Sequence, residues 1–126
     1  MAASVDRIRE VVETYVRLVG SGTSDEIVAL YAEGATVEDP GGTHVRSGSA
    51  IKEFYSTLDG LEQESRLLAL RIAGGEAVFH FEIVTRAGGA TYTLAPIDVM
   101  TFDDEGLITG MRAYWNDADM TIGQQG

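Results

Sequence analysis

Two aspartates are the residues whose surroundings in the chain point to chemistry. Asp39 closes the run Ala35-Thr36-Val37-Glu38-Asp39. Strand alternation puts Ala35, Val37 and Asp39 on one face and Thr36 and Glu38 on the other. Pro40-Gly41-Gly42 follows as a loop, so Asp39 stands at an inward strand end where partial hydration keeps a carboxylate ionised. Asp98 lies in mid-strand, among Ile97, Val99 and Met100. One face of that strand carries Tyr92, Leu94, Met100 and Phe102 beside Asp98, the other Thr93, Ala95, Ile97, Val99 and Thr101. Neither face is polar, so Asp98 is expected to be buried. Desolvation raises the pKa of an unpaired carboxylate until it keeps its proton. A neutral carboxylic acid then donates a hydrogen bond, which an ionised one cannot. The pattern suggests one base, Asp39, and one hydrogen-bond donor, Asp98. The plainer alternatives are a turn aspartate before Pro40 and a buried acid paired with one arginine or tyrosine.

Three tyrosines belong with these acids. Residues 4–20 read as an amphipathic helix, with Val5, Ile8, Val12, Tyr15 and Val19 at i+3 and i+4 spacing and Ser4 as its cap. Tyr15 is therefore on the buried stripe. A second helix is expected over about 24–32, opened by a Thr23–Glu26 capping box, with Ile27, Leu30 and Tyr31 as its apolar face and Gly34 in its C-terminal turn. A third runs from about Ser49 to Leu58 and turns Ile51, Phe54, Tyr55 and Leu58 inward. Taken singly, each tyrosine fits a core residue with a satisfied hydroxyl. Together, beside two inward acids, they suggest a hydrogen-bonded network.

From residue 64 the period changes to two. Gly74-Gly75, Gly88-Gly89 and the turn at Asp103-Asp104-Glu105-Gly106 divide four expected strands into an antiparallel meander, the third running unbroken from Tyr92 to Phe102. Pro96 lies inside that third strand. Proline removes a ladder donor and belongs at edges or bulges, so it is placed to shift Asp98 or narrow a cleft. Trp115 alternates with Met111 and Ala113 on the last strand and either lines the cavity or fills the core. His44 and His80 read as solvent-side and too far apart for a metal site. Helices followed by strands argue an α+β fold, with three N-terminal helices packed on a curved, mostly antiparallel sheet.

The bulk numbers narrow the partners. A chain of 126 residues suits a single domain over residues 1–126. There is no cysteine, which excludes disulfides and thiolate chemistry. The formal charge is −11, from 20 acidic and 9 basic residues with the basic ones scattered. Such a surface disfavours nucleic acid and anionic membranes and leaves a neutral or apolar ligand as the natural expectation. Asp6, Arg7, Arg9 and Glu10 interrupt any leader-like apolar run. No segment approaches the ~20 apolar residues of a membrane span, so a cytoplasmic protein is expected.

The segments Ala35-Thr36-Val37-Glu38-Asp39-Pro40, Phe54-Tyr55, Ile97-Asp98-Val99-Met100, Phe102-Asp103 and Ala113-Tyr114-Trp115 resemble the bacterial ketosteroid isomerases of the nuclear transport factor 2-like superfamily. The resemblance runs in register from Tyr15 to Trp115 and implies that superfamily's cone-shaped fold. It implies Asp39 as general base, moving a proton from carbon 4 of a 3-oxo-Δ5-steroid to carbon 6. It implies an oxyanion hole made of Tyr15 and protonated Asp98, with Tyr55 and Tyr31 in support. Trp115 matches an indole near the base, and Phe81 and Met111 resemble residues lining the steroid cleft. The division of two carboxyl groups into a base and a neutral donor has this same family as its standard example. No cofactor or metal is implied, and a homodimer is expected by analogy. Other enzymes of this fold (polyketide cyclase-like proteins, dehydratases, epoxide hydrolases) and a non-catalytic steroid- or lipid-binding module are the competing readings. The cyclases and dehydratases usually lean on histidine and the epoxide hydrolases on an acid–arginine–acid set, neither of which is expected among the inward residues.

Overall fold

The structure, a computed structural model, describes residues 2–124. Helix α1 (Val5–Ser21) starts where Ser4 accepts a hydrogen bond from the Arg7 amide at 3.0 Å, and it buries Ile8, Val11, Val12, Tyr15, Val16, Leu18 and Val19. Its apolar stripe lies against the sheet, which fixes the rotation of Tyr15 about the helix axis. The Thr23–Glu26 capping box opens α2 (Ser24–Val28) as the sequence predicts, but the helix ends well short of residue 32. Tyr31 instead begins strand β1 (Tyr31–Glu38). The ladder with β7 (Ile108–Tyr114) explains the difference: Ile108 donates to the Leu30 carbonyl at 2.9 Å and Tyr31 pairs with Ile108. Long-range pairing thus overrides the helical spacing of Ile27, Leu30 and Tyr31. Gly34 is not a helix terminator; at φ 81° it sits where the β1–β7 register shifts, a conformation that favours glycine.

Strand β2 (Arg46–Ser47) pairs antiparallel with β1 and leads into α3 (Ser49–Ser56), which buries Ile51 and Tyr55. The remaining strands are β3 (Glu62–Ala73), β4 (Glu76–Ala87), β5 (Ala90–Leu94), β6 (Ile97–Phe102), β7 and β8 (Thr121–Gln124). The sheet order is β2-β1-β7-β6-β4-β5-β8, with β3 on the free edge of β4's other side. Only β1 and β7 run parallel among the described strands; the other pairings are antiparallel. With three helices on a curved, mostly antiparallel sheet, the chain has the expected α+β architecture.

The meander is more elaborate than four strands. The expected strand Tyr92–Phe102 is two, broken at Ala95-Pro96. Residues 90–94 pair with the far half of β4 and residues 97–101 with its near half. Pro96, with no N–H to give, occupies the step between the two ladders, and its carbonyl accepts from the Phe81 amide at 3.3 Å. Phe79, Met100, Ile108, Met111 and Val37 make the floor of the core beneath the helices. No helix among the described residues is long and apolar enough to cross a membrane.

Candidate active site

Tyr15, brought by α1, and Tyr55, brought by α3, meet with their hydroxyl oxygens 3.0 Å apart. Tyr31, from the start of β1, lies behind them with its hydroxyl 2.5 Å from that of Tyr55. Read as donation from Tyr31 to Tyr55 to Tyr15, this chain leaves the Tyr15 proton free to serve another acceptor. The ring of Tyr15 is held edge-on by Phe79 and Phe81, at centroid distances of 6.1 and 6.3 Å. Burial pushes all three phenols well above their ordinary pKa, and the neighbouring phenols' charges add to the rise, although the hydrogen bonds of Tyr55 to Tyr15 and of Tyr31 to Tyr55 oppose it. They are therefore neutral donors at ordinary pH.

Asp98 reaches the same place from β6, paired across the ladder with Phe79. It is 1% exposed, and neither carboxyl oxygen has a hydrogen-bond partner among the described residues. Burial raises its pKa well above the usual carboxylate range, and the nearby charge of Asp39 raises it further. The protonated acid thus has an O–H without an acceptor. Leaving a buried polar group unpaired costs about 1–3 kcal/mol, so the pocket carries an unsatisfied donor into which an acceptor fits.

Asp39 follows the last residue of β1 and is only partly buried. The indole of Trp115, just beyond β7, donates to its carboxylate at 2.7 Å. Burial raises the Asp39 pKa, while the Trp115 hydrogen bond and the positive charge of Arg46 oppose that rise. Arg46 donates to the Asp39 carbonyl at 3.3 Å and stacks its guanidinium 4.5 Å from the centre of the Phe54 ring. The loop beyond is anchored as well. Gly41 donates to the Ala113 carbonyl at 2.7 Å, Gly42 to the Glu38 carboxylate at 2.5 Å, and Glu38 pairs with Arg112 at 2.9 Å. The backbone on both sides of Asp39 is thereby fixed to β7, while its carboxylate faces the interior.

What it faces is a cavity of about 220 Å³ between the helices and the sheet. Asp39, Tyr15, Asp98, Tyr55, Trp115 and Phe81 all line it. Tyr31 does not; it stands behind Tyr55. Met111, expected in the cleft wall, is instead 1% exposed in the floor of the core, paired with Val37 on one side and Met100 on the other. Its alternation with Ala113 does turn it inward, but at a depth below the cavity. His44 is exposed, and His80 lies on the other face of β4 with Nε2 3.1 Å from the Ala95 carbonyl, so neither lines the cavity. A wider groove of about 770 Å³ between α1 and β3 holds none of Asp39, Asp98 and Tyr15. Sequence reasoning missed Arg46, Gln63 and Thr85. Arg46 follows a glycine-rich loop with no periodicity to orient it. Gln63 and Thr85 lie on β3 and β4, and their inward alternation was readable only once the strand register was known.

The chain matches the family model for the SnoaL-like domain over residues 12–111. It is 46% identical over 116 residues to the steroid Delta-isomerase of Nocardioides simplex, covering 91% of this chain and 94% of that one. A similar solved structure is that of SalBIII, described as an epoxide hydrolase/cyclase-like enzyme with a role in pyran ring formation in the polyether salinomycin. It superposes with a TM-score of 0.83 at 28% identity, covering 94% of this chain and 96% of that one.

Proposed function

The chain belongs to the SnoaL-like domain family, and from that premise we propose that it is a steroid Δ-isomerase converting a 3-oxo-Δ5-steroid to its conjugated 3-oxo-Δ4 isomer. The observation that carries this reading is the partly buried Asp39, held by Trp115, facing one cavity with the unpartnered Asp98 and with Tyr15. The Asp39 carboxylate takes a proton from carbon 4, next to the carbonyl. The electrons move into a dienolate whose oxygen develops negative charge. Tyr15 and protonated Asp98 each donate a hydrogen bond to that oxygen, in a water-poor site where such donors stabilise most. Asp39 then returns the same proton to carbon 6, so the double bond migrates and no atom is gained or lost. The steroid Delta-isomerase relative supports this reading. The competing cyclase and epoxide-hydrolase chemistries find no histidine or arginine among the described residues lining the cavity.

The test is turnover of 5-androstene-3,17-dione by purified protein, followed through the ultraviolet absorbance of the enone. Isomerisation that disappears with Asp39→Asn supports the reading. Tight binding of a phenolic steroid without turnover would instead point to a binding module.

We also propose that the protein works as a homodimer through the outer face of the sheet. Val78, Ile97 and Tyr114 are 44%, 44% and 47% exposed there, and register places them side by side with Val99. A Val78→Glu variant should run as a monomer by light scattering where the parent runs as a dimer. A parent that is monomeric at micromolar concentration overturns the proposal.

A further inference from the structure

Cross-strand register puts three polar side chains in a row at one end of the cavity: Gln63 pairs with Thr85, and Thr85 with Tyr92. All three line the cavity. The Gln63 side-chain amide donates to the Thr85 hydroxyl at 2.8 Å. That bond orients both groups and leaves the Thr85 O–H, the second Gln63 N–H and the Gln63 carbonyl able to meet a ligand. Tyr92 adds a phenolic hydroxyl.

This row is remote from the two acids. The inward residues of β4 succeed one another as Phe79, Phe81, Ile83 and Thr85, and Phe79 is opposite Asp98. At about 3.3 Å per residue, Thr85 lies about 13 Å beyond Phe81 and about 20 Å beyond Phe79. Tyr15 packs on both of those phenylalanines, so the proposed oxyanion hole is at the Phe79–Phe81 end. Between the two polar ends the wall is apolar, made by Phe81, Ile83, Leu94 and Leu58. The cavity therefore has polar, apolar and polar zones in sequence. A rigid apolar body with an oxygen at each end matches that order; one with a single oxygen leaves the far row facing hydrocarbon.

We propose that Gln63, Thr85 and Tyr92 form a distal subsite that hydrogen-bonds an oxygen at the end of the ligand opposite the reacting carbonyl, so that the protein selects steroids oxygenated at both ends. The inference rests on the isomerase reading for the identity of the ligand's first end. It differs from that reading in resting on β3, β4 and β5 rather than on the acids.

The experiment compares ligand pairs that differ only at carbon 17. Affinities of estradiol and its 17-deoxy analogue are measured by calorimetry, with no turnover required. The kcat/KM values of 5-androstene-3,17-dione and 5-androsten-3-one are measured alongside. The parent should favour the 17-oxygenated member of each pair by about fivefold, the size expected for one net hydrogen bond. Thr85→Val and Gln63→Leu should each bring that ratio close to one. A parent ratio near one, or a ratio untouched in both variants, overturns the subsite. If neither Δ5 substrate turns over while the estradiol ratio still collapses in the variants, the isomerase reading fails and the subsite stands.

Discussion

Asp39 and Asp98 are the same functional group facing the same cavity, yet the fold surrounds them differently. Asp39 comes at the end of β1, only partly buried before a Pro-Gly-Gly loop, where an indole donates to it and an arginine stands close. Asp98 comes in the middle of β6, at 1% exposure, with no hydrogen-bond partner among the described residues. Burial raises the pKa of both. For Asp39 two specific contacts oppose the rise; for Asp98 the charge of Asp39 reinforces it. The position of each residue in its strand, end or middle, thus decides which acid can accept a proton and which can only donate one. Asp39 also helps hold Asp98 in its role, because ionised Asp39 disfavours a second negative charge on Asp98.

The largest effect should come from removing the base. Asp39→Asn is isosteric and keeps an acceptor for Trp115, so the fold and the cavity are retained. Turnover should nevertheless fall by about 10³–10⁴-fold, near the upper range for general base catalysis. Affinity for a phenolic steroid should persist, as equilibrium titration would show. The donors should matter less individually: Tyr15→Phe and Asp98→Leu are each expected to lower kcat by about 10²–10³-fold. Asp98→Asn sharpens the point, since an amide keeps an N–H to donate. It should retain at least about ten times the activity of Asp98→Leu, and equal activities in the two variants would remove Asp98 from the oxyanion hole.

The two acids also differ in how far the sequence disclosed them. Burial of Asp98 is legible without any register, because neither face of residues 92–102 is polar. The break at Pro96 was not legible as a change of pairing, because which half of β4 each segment meets is set by non-local register. The helical spacing of Ile27, Leu30 and Tyr31 predicts a helix through Tyr31; the parallel ladder to β7, more than seventy residues away in sequence, decides otherwise. Asp39 was legible as inward, but its Arg46 neighbour was not. A strand of two residues is too short to show a period, and only the pairing of β2 with β1 brings Arg46 back beside Asp39.

Asp98 should be visible in stability as well. Its folded pKa is raised, so the native state holds a proton that the unfolded chain releases near pH 4. The unfolded state then binds fewer protons, and stability falls as pH rises from about 4 towards the folded pKa. Per proton the slope is about 1.4 kcal/mol per pH unit. Other carboxylates act oppositely: Glu38 and Asp59 have lowered pKa values and contribute stability that is lost as pH falls. The clean measurement is therefore a difference. Urea denaturation of the parent minus Asp98→Asn should show relative stability of the parent declining as pH rises above about 4. A flat difference would mean that Asp98 is ionised in the folded protein.

The smallest effects test the other half of the comparison, the contacts that keep Asp39 ionised despite burial. Arg46→Met preserves an aliphatic stem over Phe54 but removes the cation. Trp115→Phe removes the indole donor and keeps an aromatic ring. Both contacts favour the charged carboxylate, so losing either raises the Asp39 pKa and moves the acidic limb of the kcat/KM profile to higher pH. The plateau above the limb should change only a few-fold, since the carboxylate is ionised there in every variant. Trp115 bonds the carboxylate directly, whereas Arg46 bonds the backbone carbonyl and acts on the carboxylate through its charge alone. The shift should therefore be larger for Trp115→Phe than for Arg46→Met. High salt should shrink the Arg46 effect and leave the Trp115 effect in place, because screening weakens a charge near solvent more than a direct hydrogen bond. A limb that stays put in both variants would mean that hydration at the strand end suffices to ionise Asp39, and that its position before the loop matters more than its partners.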